Sequence, residues 1–328
     1  MPKQAVLLLA HGTPETVDQI PEYLRNVVSG RPLPQSVIEE IQHRYSLIGH
    51  SPLTEITMEQ GRLVEAELAA TGYPVPVYVG MRNWKPYIPD VVRQMRSDGI
   101  EETAVLCMAP HNSRTSVGLY RRAVEAEAVG LRIDFTEGWA HHPLLIQAFA
   151  ERLRPALTKL SEEVGYPVPV LFTAHSVPCR TVQAPAANEG QPRLWPGQGI
   201  DPYAVEAKRT AAEVAAQVPE IPQWWFAFQS QGASGGPWLG PSVESTLDSI
   251  AAGGGKSLIL QPIGFLCDHV EILFDVDNLF REYAVKLGVR LERPESLNAS
   301  PTLAKAVADL ARQGLARLQG VSDRKEEL

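Results

Sequence analysis

Residues 8–15 read LLAHGTPE, and residues 172–179 read FTAHSVPC. Each copy follows an apolar run, AVLLL (5–9) in one case and VPVLF (168–172) in the other, and each continues as Ala-His, a small residue, and a Pro two positions later. An uninterrupted apolar run bounded by turn residues reads as a strand buried on both faces, the kind found in parallel sheets. His11 and His175 therefore stand at the carboxyl ends of two such strands. In an open α/β sheet that edge is where ligands bind.

Further strands read outward from these two: VPVYVG (75–80), TAVLCMA (103–109), WWFAFQ (224–229) and SLILQPI (257–263). Segments with helical spacing lie between them, at 58–70, 89–99, 144–157, 203–218 and 243–252. Alternation of this kind predicts parallel sheets covered by helices. Both halves keep the same order: a strand ending in Ala-His, a helical stretch, a strand, and a turn with Trp and Pro (GMRNWKP, 80–86; QSQGASGGPWLGP, 229–241). A helix and a strand running into Pro come next. A repeat of roughly 100 residues per half predicts an α/β fold of two similar Rossmann-like domains, each a mainly parallel sheet flanked by helices, with a ligand cleft between them. The expected boundaries are 1–160 and 161–328, with the last helix packing back on the first domain. Two parts break the symmetry: the Pro- and Gly-rich stretch 185–202 reads as a long loop beside the cleft, and the charged tail SDRKEEL (322–328) as a frayed end.

At 328 residues and 44% hydrophobic the chain is long enough for two cores, and its net charge of −8 argues against a grip on nucleic-acid phosphates. No window approaches the roughly 20 apolar residues of a membrane span, and the start lacks the pattern of a secretory signal, so a soluble cytoplasmic protein is expected. Cys107, Cys179 and Cys267 are scattered, without a C-x-x-C pair, and read as reduced, small hydrophobic residues. No G-x-G-x-x-G or G-x-x-x-x-G-K-[ST] loop is present, and GGGK (253–256) reads as a turn.

The chemistry concentrates in PIGFLCDHVEILFDVD (262–277). From Asp268 onward the spacing is helical, which puts Glu271 and Asp275 on one face, and like charges so placed imply a cation between them or a carboxyl of raised pKa. Asp268 reads as the N-cap of this helix. Trp84, Trp139, Tyr120 and Trp238 are candidates to stack on a flat ligand, with a plain core role as the alternative for each.

Seven motifs in register over about residues 4–280 resemble ferrochelatase: AHGTP (10–14), RYSLIGHSPL (44–53), DGIEETAVLCMAPHNS (98–113), FTAHSVP (172–178), DPY (201–203), FQSQG with GPWLGP (228–232, 236–241), and PIGFLCDHVEILFDVD. The resemblance is to the short soluble bacterial form with the class II chelatase fold. It implies a lyase that inserts Fe2+ into a porphyrin in haem biosynthesis, with Fe2+ as substrate and no cofactor required. By the same resemblance His175 and Glu271 are catalytic, and His175, Glu271 and Asp275 hold the metal, with His11 a fourth donor that this sequence adds. Porphyrin contacts fall on His11, Arg31, Arg44, Ser51, His111, Ser113, Tyr120 and Trp238. The family's next acidic position after Asp275 is Leu279 here, and the Arg pair of coproporphyrin-using members is replaced by Val28 and Ser29 ahead of Arg31. Protoporphyrin IX and coproporphyrin III both stay open as substrates. The alternatives are a chelatase for sirohydrochlorin or another tetrapyrrole, a haem- or iron-binding protein using His11 and His175 as ligands, and a two-domain sugar-binding protein of periplasmic type, which the missing signal peptide disfavours.

Overall fold

QAVLLLA, buried along almost its whole length, can only be satisfied as a central strand, and it is one: β1, Gln4–Ala10. The computed structural model describes residues 2–183, 200–231 and 236–326, and side chains through residue 320. In chain order β1 is followed by α1 (Ile20–Val27), α2 (Gln35–Ile48), α3 (Leu53–Ala70), β2 (Val77–Met81), α4 (Ile88–Ser97), β3 (Glu102–Cys107), α5 (Val117–Glu125) and β4 (Arg132–Thr136). Next come α6 (Pro143–Val164), β5 (Val170–His175), α7 (Cys179–Val182), α8 (Tyr203–Gln217), β6 (Trp224–Gln229), α9 (Val243–Ala252) and β7 (Ser257–Pro262). A π-helix (Glu271–Phe280), α10 (Arg281–Lys286), β8 (Arg290–Glu292) and α11 (Pro301–Glu326) complete the chain.

The chain divides into two units, residues 1–110, 116–139 and 298–328 in one, and 111–115 with 140–297 in the other. Their sheets share one topology, β2-β1-β3-β4 and β6-β5-β7-β8, with every pairing parallel. The expected boundary at 160 is corrected to 139/140, because α6 packs against α8 of the second unit. The last helix, α11, packs on α3, β3 and β4 of the first unit, and it continues to Glu326 where a frayed tail was expected. Most of the 185–202 stretch lies outside the described residues.

The repeat extends to single hydrogen bonds. Met108 N–H donates to Leu9 C=O at 2.7 Å, and at the corresponding place Ile263 N–H donates to Thr173 C=O at 2.8 Å. Met81 N–H donates to Pro86 C=O at 2.7 Å and Phe228 N–H to Pro241 C=O at 2.8 Å, each closing a loop that contains a cis X-Pro bond. The small residue after each histidine has a different reason in each copy. Gly12 sits at φ +77°, and a Cβ there would lie 2.7 Å from Met81 Cβ. Ser176 is fully buried and donates through Oγ to Leu239 C=O at 2.9 Å.

Two strands were not read from the sequence. β4 alternates and is only half-buried, and β8 has three residues, so neither leaves an apolar run. Among the described residues no helix is long and apolar enough to cross a membrane. Gly12→Ala combines a left-handed backbone with a side-chain overlap, and should destabilise the protein by about 1–3 kcal/mol, seen as a lower midpoint in thermal unfolding followed by circular dichroism. An unchanged midpoint would remove the steric account of the AHG motif.

Candidate active site

In the order β6-β5-β7-β8 the chain leaves β5 toward one neighbour and later returns to pair on its other side, so the topological switch point of the second unit lies between β5 and β7. Ligands in open α/β sheets bind outside the strands' carboxyl ends at that point. His175 is the last residue of β5, and β7 runs out through Ile263 and Gly264 toward Glu271. A Cβ on Gly264 would lie 3.0 Å from Ala174 Cβ, so glycine lets the exit from β7 pass close to the histidine-bearing strand.

The two groups meet there. His175 Nε2 is 3.4 Å from Glu271 Oε1, and both side chains are about one-third exposed, 31% and 32%. His269 stands on the other carboxylate oxygen, Nε2 to Oε2 3.7 Å, while its Nδ1–H donates to Cys267 C=O at 3.1 Å. Phe265 packs between the imidazoles, with ring centroids 6.2 Å from His175 and 4.3 Å from His269. Tyr203 OH donates to His175 C=O at 2.8 Å and steadies the strand end.

Polar side chains from β5 and the end of β6 tie the acidic segment to the sheet. Thr173 Oγ1 donates to Gln229 Oε1 at 2.6 Å, and Gln229 Nε2 approaches Glu271 C=O at 3.5 Å. Ser230, held at φ +60°, donates through Oγ to Asp275 Oδ2. Asp275 is buried, and its charge acts on His175 together with that of Glu271.

The charges of this cluster are set by competition. Burial favours neutral forms, but the His175 imidazolium and hydrogen bonds from His175 and His269 overcome it and hold the Glu271 carboxyl well below its ordinary value. Burial likewise pulls the His175 imidazole down, and the Glu271 carboxylate more than compensates, so its pKa is raised. The expectation of a raised carboxyl is thus corrected for Glu271, because its counter-charge is already in place.

Two further corrections concern this segment. It winds as a π-helix, with the wide i→i+5 turn, where an ordinary helix was expected. Periodicity does not separate the two, since residues four apart stay on one side in either. The residue preceding the π-helix is Val270, and the Asp268 carboxylate, read as its cap, accepts from Ser296 Oγ at 2.7 Å and pairs with Arg293 at 3.2 Å.

The family model described as Ferrochelatase matches residues 3–315. The chain belongs to the ferrochelatase family. Membership of the ferrochelatase family makes it a metal chelatase, a lyase. It is 60% identical over 318 residues to a ferrochelatase of Acidobacterium capsulatum, covering 97% of this chain and 96% of that one. It is 37% identical to a coproporphyrin III ferrochelatase of Mycolicibacterium vanbaalenii, covering 94% and 89%. Among solved structures, the sirohydrochlorin chelatase SirB of Bacillus subtilis subspecies spizizenii in complex with cobalt aligns with a TM-score of 0.56, 11% identity and 97% coverage of both chains, a likeness of fold.

The other residues expected at a ferrochelatase site fall in both units. His11 belongs to the first unit, where its Nε2 meets Tyr23 OH at 2.8 Å and Asn83 Nδ2 approaches its ring at 3.1 Å. Among the described residues no group of three or more His, Cys, Asp or Glu side chains is arranged to hold a metal ion. Arg31 is exposed and donates to Val28 C=O at 3.0 Å, and Arg44 pairs with Glu40. Ser51 is buried, and its Oγ has no hydrogen-bond partner among the described residues. His111 is buried against Thr210 at 3.0 Å, and burial with the nearby His141 pushes its pKa down to about 3. Ser113 bonds Thr115 at 3.0 Å. Tyr120, Trp84 and Trp139 are buried core residues, whereas Trp238 is half-buried and bridges Pro178. Cys107 and Cys267 are buried, and burial raises the Cys267 thiol to about 12. His269, Gln229, Ser230 and Thr173 were not singled out from the sequence, although His269 stands two residues before Glu271 and Gln229 and Ser230 lie within FQSQG.

The pair has a pH signature. Glu271, with its depressed pKa, adds stability above its ordinary 4.5 that is lost as the pH falls through its folded value; His175, with its raised pKa, adds stability below 6.5 that is lost as the pH rises through its folded value. The pair is therefore strongest between those two ordinary values. An NMR titration of the His175 ring should give a pKa above 6.5 in the wild type and a lower one in Glu271→Gln; equal values would show that the carboxylate does not set the imidazole's charge.

Proposed function

We propose that the chain inserts Fe2+ into a porphyrin in haem biosynthesis, with His175 and Glu271 at the reacting centre. One observation carries the reading: a histidine and a carboxylate paired at the switch point of the second sheet, in a chain of the ferrochelatase family.

Insertion removes two pyrrole N–H protons and strips the water from a divalent ion. Imidazole accepts and releases protons near neutral pH, which suits His175 to take the pyrrole protons. A carboxylate held ionised suits Glu271 to receive the cation, and Fe2+ accepts both imidazole and carboxylate donors. An arriving cation takes over the counter-charge that the imidazolium supplies to Glu271, so His175 releases its proton to solvent and stands neutral, ready to accept a pyrrole proton. Asp275, four residues on, extends the acidic edge along which the ion reaches Glu271. In this reading Fe2+ is substrate and no cofactor is required, and the reaction runs in the cytoplasm. The net charge of −8 continues to disfavour nucleic acid as a partner.

The porphyrin's propionates fall to Arg31, Arg44 and Ser51. Arg44 is partly exposed and already pairs with the exposed Glu40 carboxylate, the kind of group a propionate presents. The buried, unpartnered Oγ of Ser51 is a donor that a propionate would satisfy. In this reading His11, anchored by Tyr23 and Asn83, contacts the metal or the macrocycle, with Trp238, His111 and Ser113 as further porphyrin contacts and Tyr120 in reach only from the pocket wall.

Purified protein given Fe2+ or Zn2+ with protoporphyrin IX or coproporphyrin III should convert at least one porphyrin to the metalloporphyrin, read from its absorbance. His175→Ala should abolish turnover. Glu271→Gln should lose most of it, roughly 100-fold or more as expected for a group acting directly in proton or metal transfer, while still quenching porphyrin fluorescence on binding. Full activity in His175→Ala would sink the assignment.

A further inference from the structure

Arg293 follows β8 and is buried, with 10% of its side chain exposed. Its guanidinium holds Asp277 with a two-pronged grip, Nε to Oδ1 2.8 Å and Nη2 to Oδ2 2.7 Å. From the other side Nη1 reaches Asp268 Oδ1 at 3.2 Å and donates to Pro294 C=O at 3.0 Å and to Ser296 Oγ at 3.3 Å. Ser296 Oγ in turn donates a hydrogen bond to Asp268 Oδ1 at 2.7 Å. Arg281, the other cation on Asp277, stands 3.9 Å away and is half-exposed.

Asp268 and Asp277 bracket His269, Glu271 and Asp275 in the sequence. One guanidinium therefore fastens both ends of the segment that faces His175. Such a fastening has a physical need behind it: π-turns are rare and usually single, and a run from Glu271 to Phe280 has little intrinsic preference to keep its winding. A slip to the tighter i→i+4 winding would turn Glu271 and Asp275 away from His175 and Ser230. We propose that Arg293 is a positioning residue for metal insertion: by bridging Asp268 and Asp277 it sets the winding of the π-helix, and so the direction in which Glu271 and Asp275 point. The inference rests on the reading that this acidic edge handles the metal. Lysine does not substitute, because an ammonium cannot grip Asp277 with two prongs and reach Asp268 at the same time.

The test uses the full-length chain with Zn2+ and a porphyrin, comparing wild type, Arg293→Lys and Arg293→Ala. Residues that orient a metal-handling group are typically worth 10–100-fold. We expect kcat to fall by about that factor in both variants, with porphyrin binding by fluorescence quenching changed less than about threefold and the far-ultraviolet circular dichroism retained. Millimolar guanidinium should restore part of the kcat of Arg293→Ala, and methylammonium should not. Should Arg293→Ala fail to fold, Arg293→Lys decides by its kcat alone. Wild-type kcat in Arg293→Lys overturns the inference, as does a loss of kcat matched by an equal loss of porphyrin binding. If the wild type itself inserts no metal, the functional reading fails instead, and the two failures are distinguished.

Discussion

A single backbone hydrogen bond, from Ile263 N–H to Thr173 C=O at 2.8 Å, carries most of the consequences of the second unit. It is the last rung between β5 and the chain leaving β7. It fixes where that chain departs, and Gly264 keeps the departure close to Ala174. Everything after Gly264 inherits this starting point: the phenylalanine between two imidazoles, the carboxylate on His175, and the serine-held aspartate behind it. A parallel sheet provides such a place because its strands all end on one edge, and because neighbours on opposite sides of β5 lead their connections apart.

The two units show how one scaffold takes on different chemistry. The same rung exists in the first unit, from Met108 to Leu9, and the same strand end carries His11. There the imidazole meets a phenol and an amide, both neutral. In the second unit it meets a carboxylate, with further acid behind it. The phenol and the amide orient the His11 ring, whereas the Glu271 carboxylate also raises the affinity of His175 for its proton. The difference arises after the strands have been built, in the segment beyond β7, so the duplication of the sheet and the specialisation of the site are separable in the chain.

Much of this was legible in the sequence for physical reasons. Strands buried on both faces cannot hide, and a His repeated after two of them stood out because polar residues at that place need a reason. Glu271 and Asp275 were legible by their spacing. Three things were not. The π-winding was invisible because a pattern of apolar and acidic residues fits either helix. The ties of Asp268 to Arg293 and Ser296 were not legible, because both partners lie more than twenty residues away in the chain. The buried chain from Thr173 through Gln229 was hidden since its partners come from different strands and share no sequence period.

The winding of the segment from Glu271 to Phe280 has one more consequence, for how this chain tolerates change. An i→i+5 ladder holds more chain per turn than an i→i+4 ladder, so its geometry depends on the number of residues and not on their identities alone. Loss of one residue there would turn every later side chain about the axis unless the ladder rewound to absorb it. Without that rewinding Asp277 would leave Arg293, and β8, which follows α10, would meet β7 out of register. Substitutions in this stretch are graded in their effect, one side chain at a time. Insertions and deletions are not, and the length of the segment is the property least free to vary.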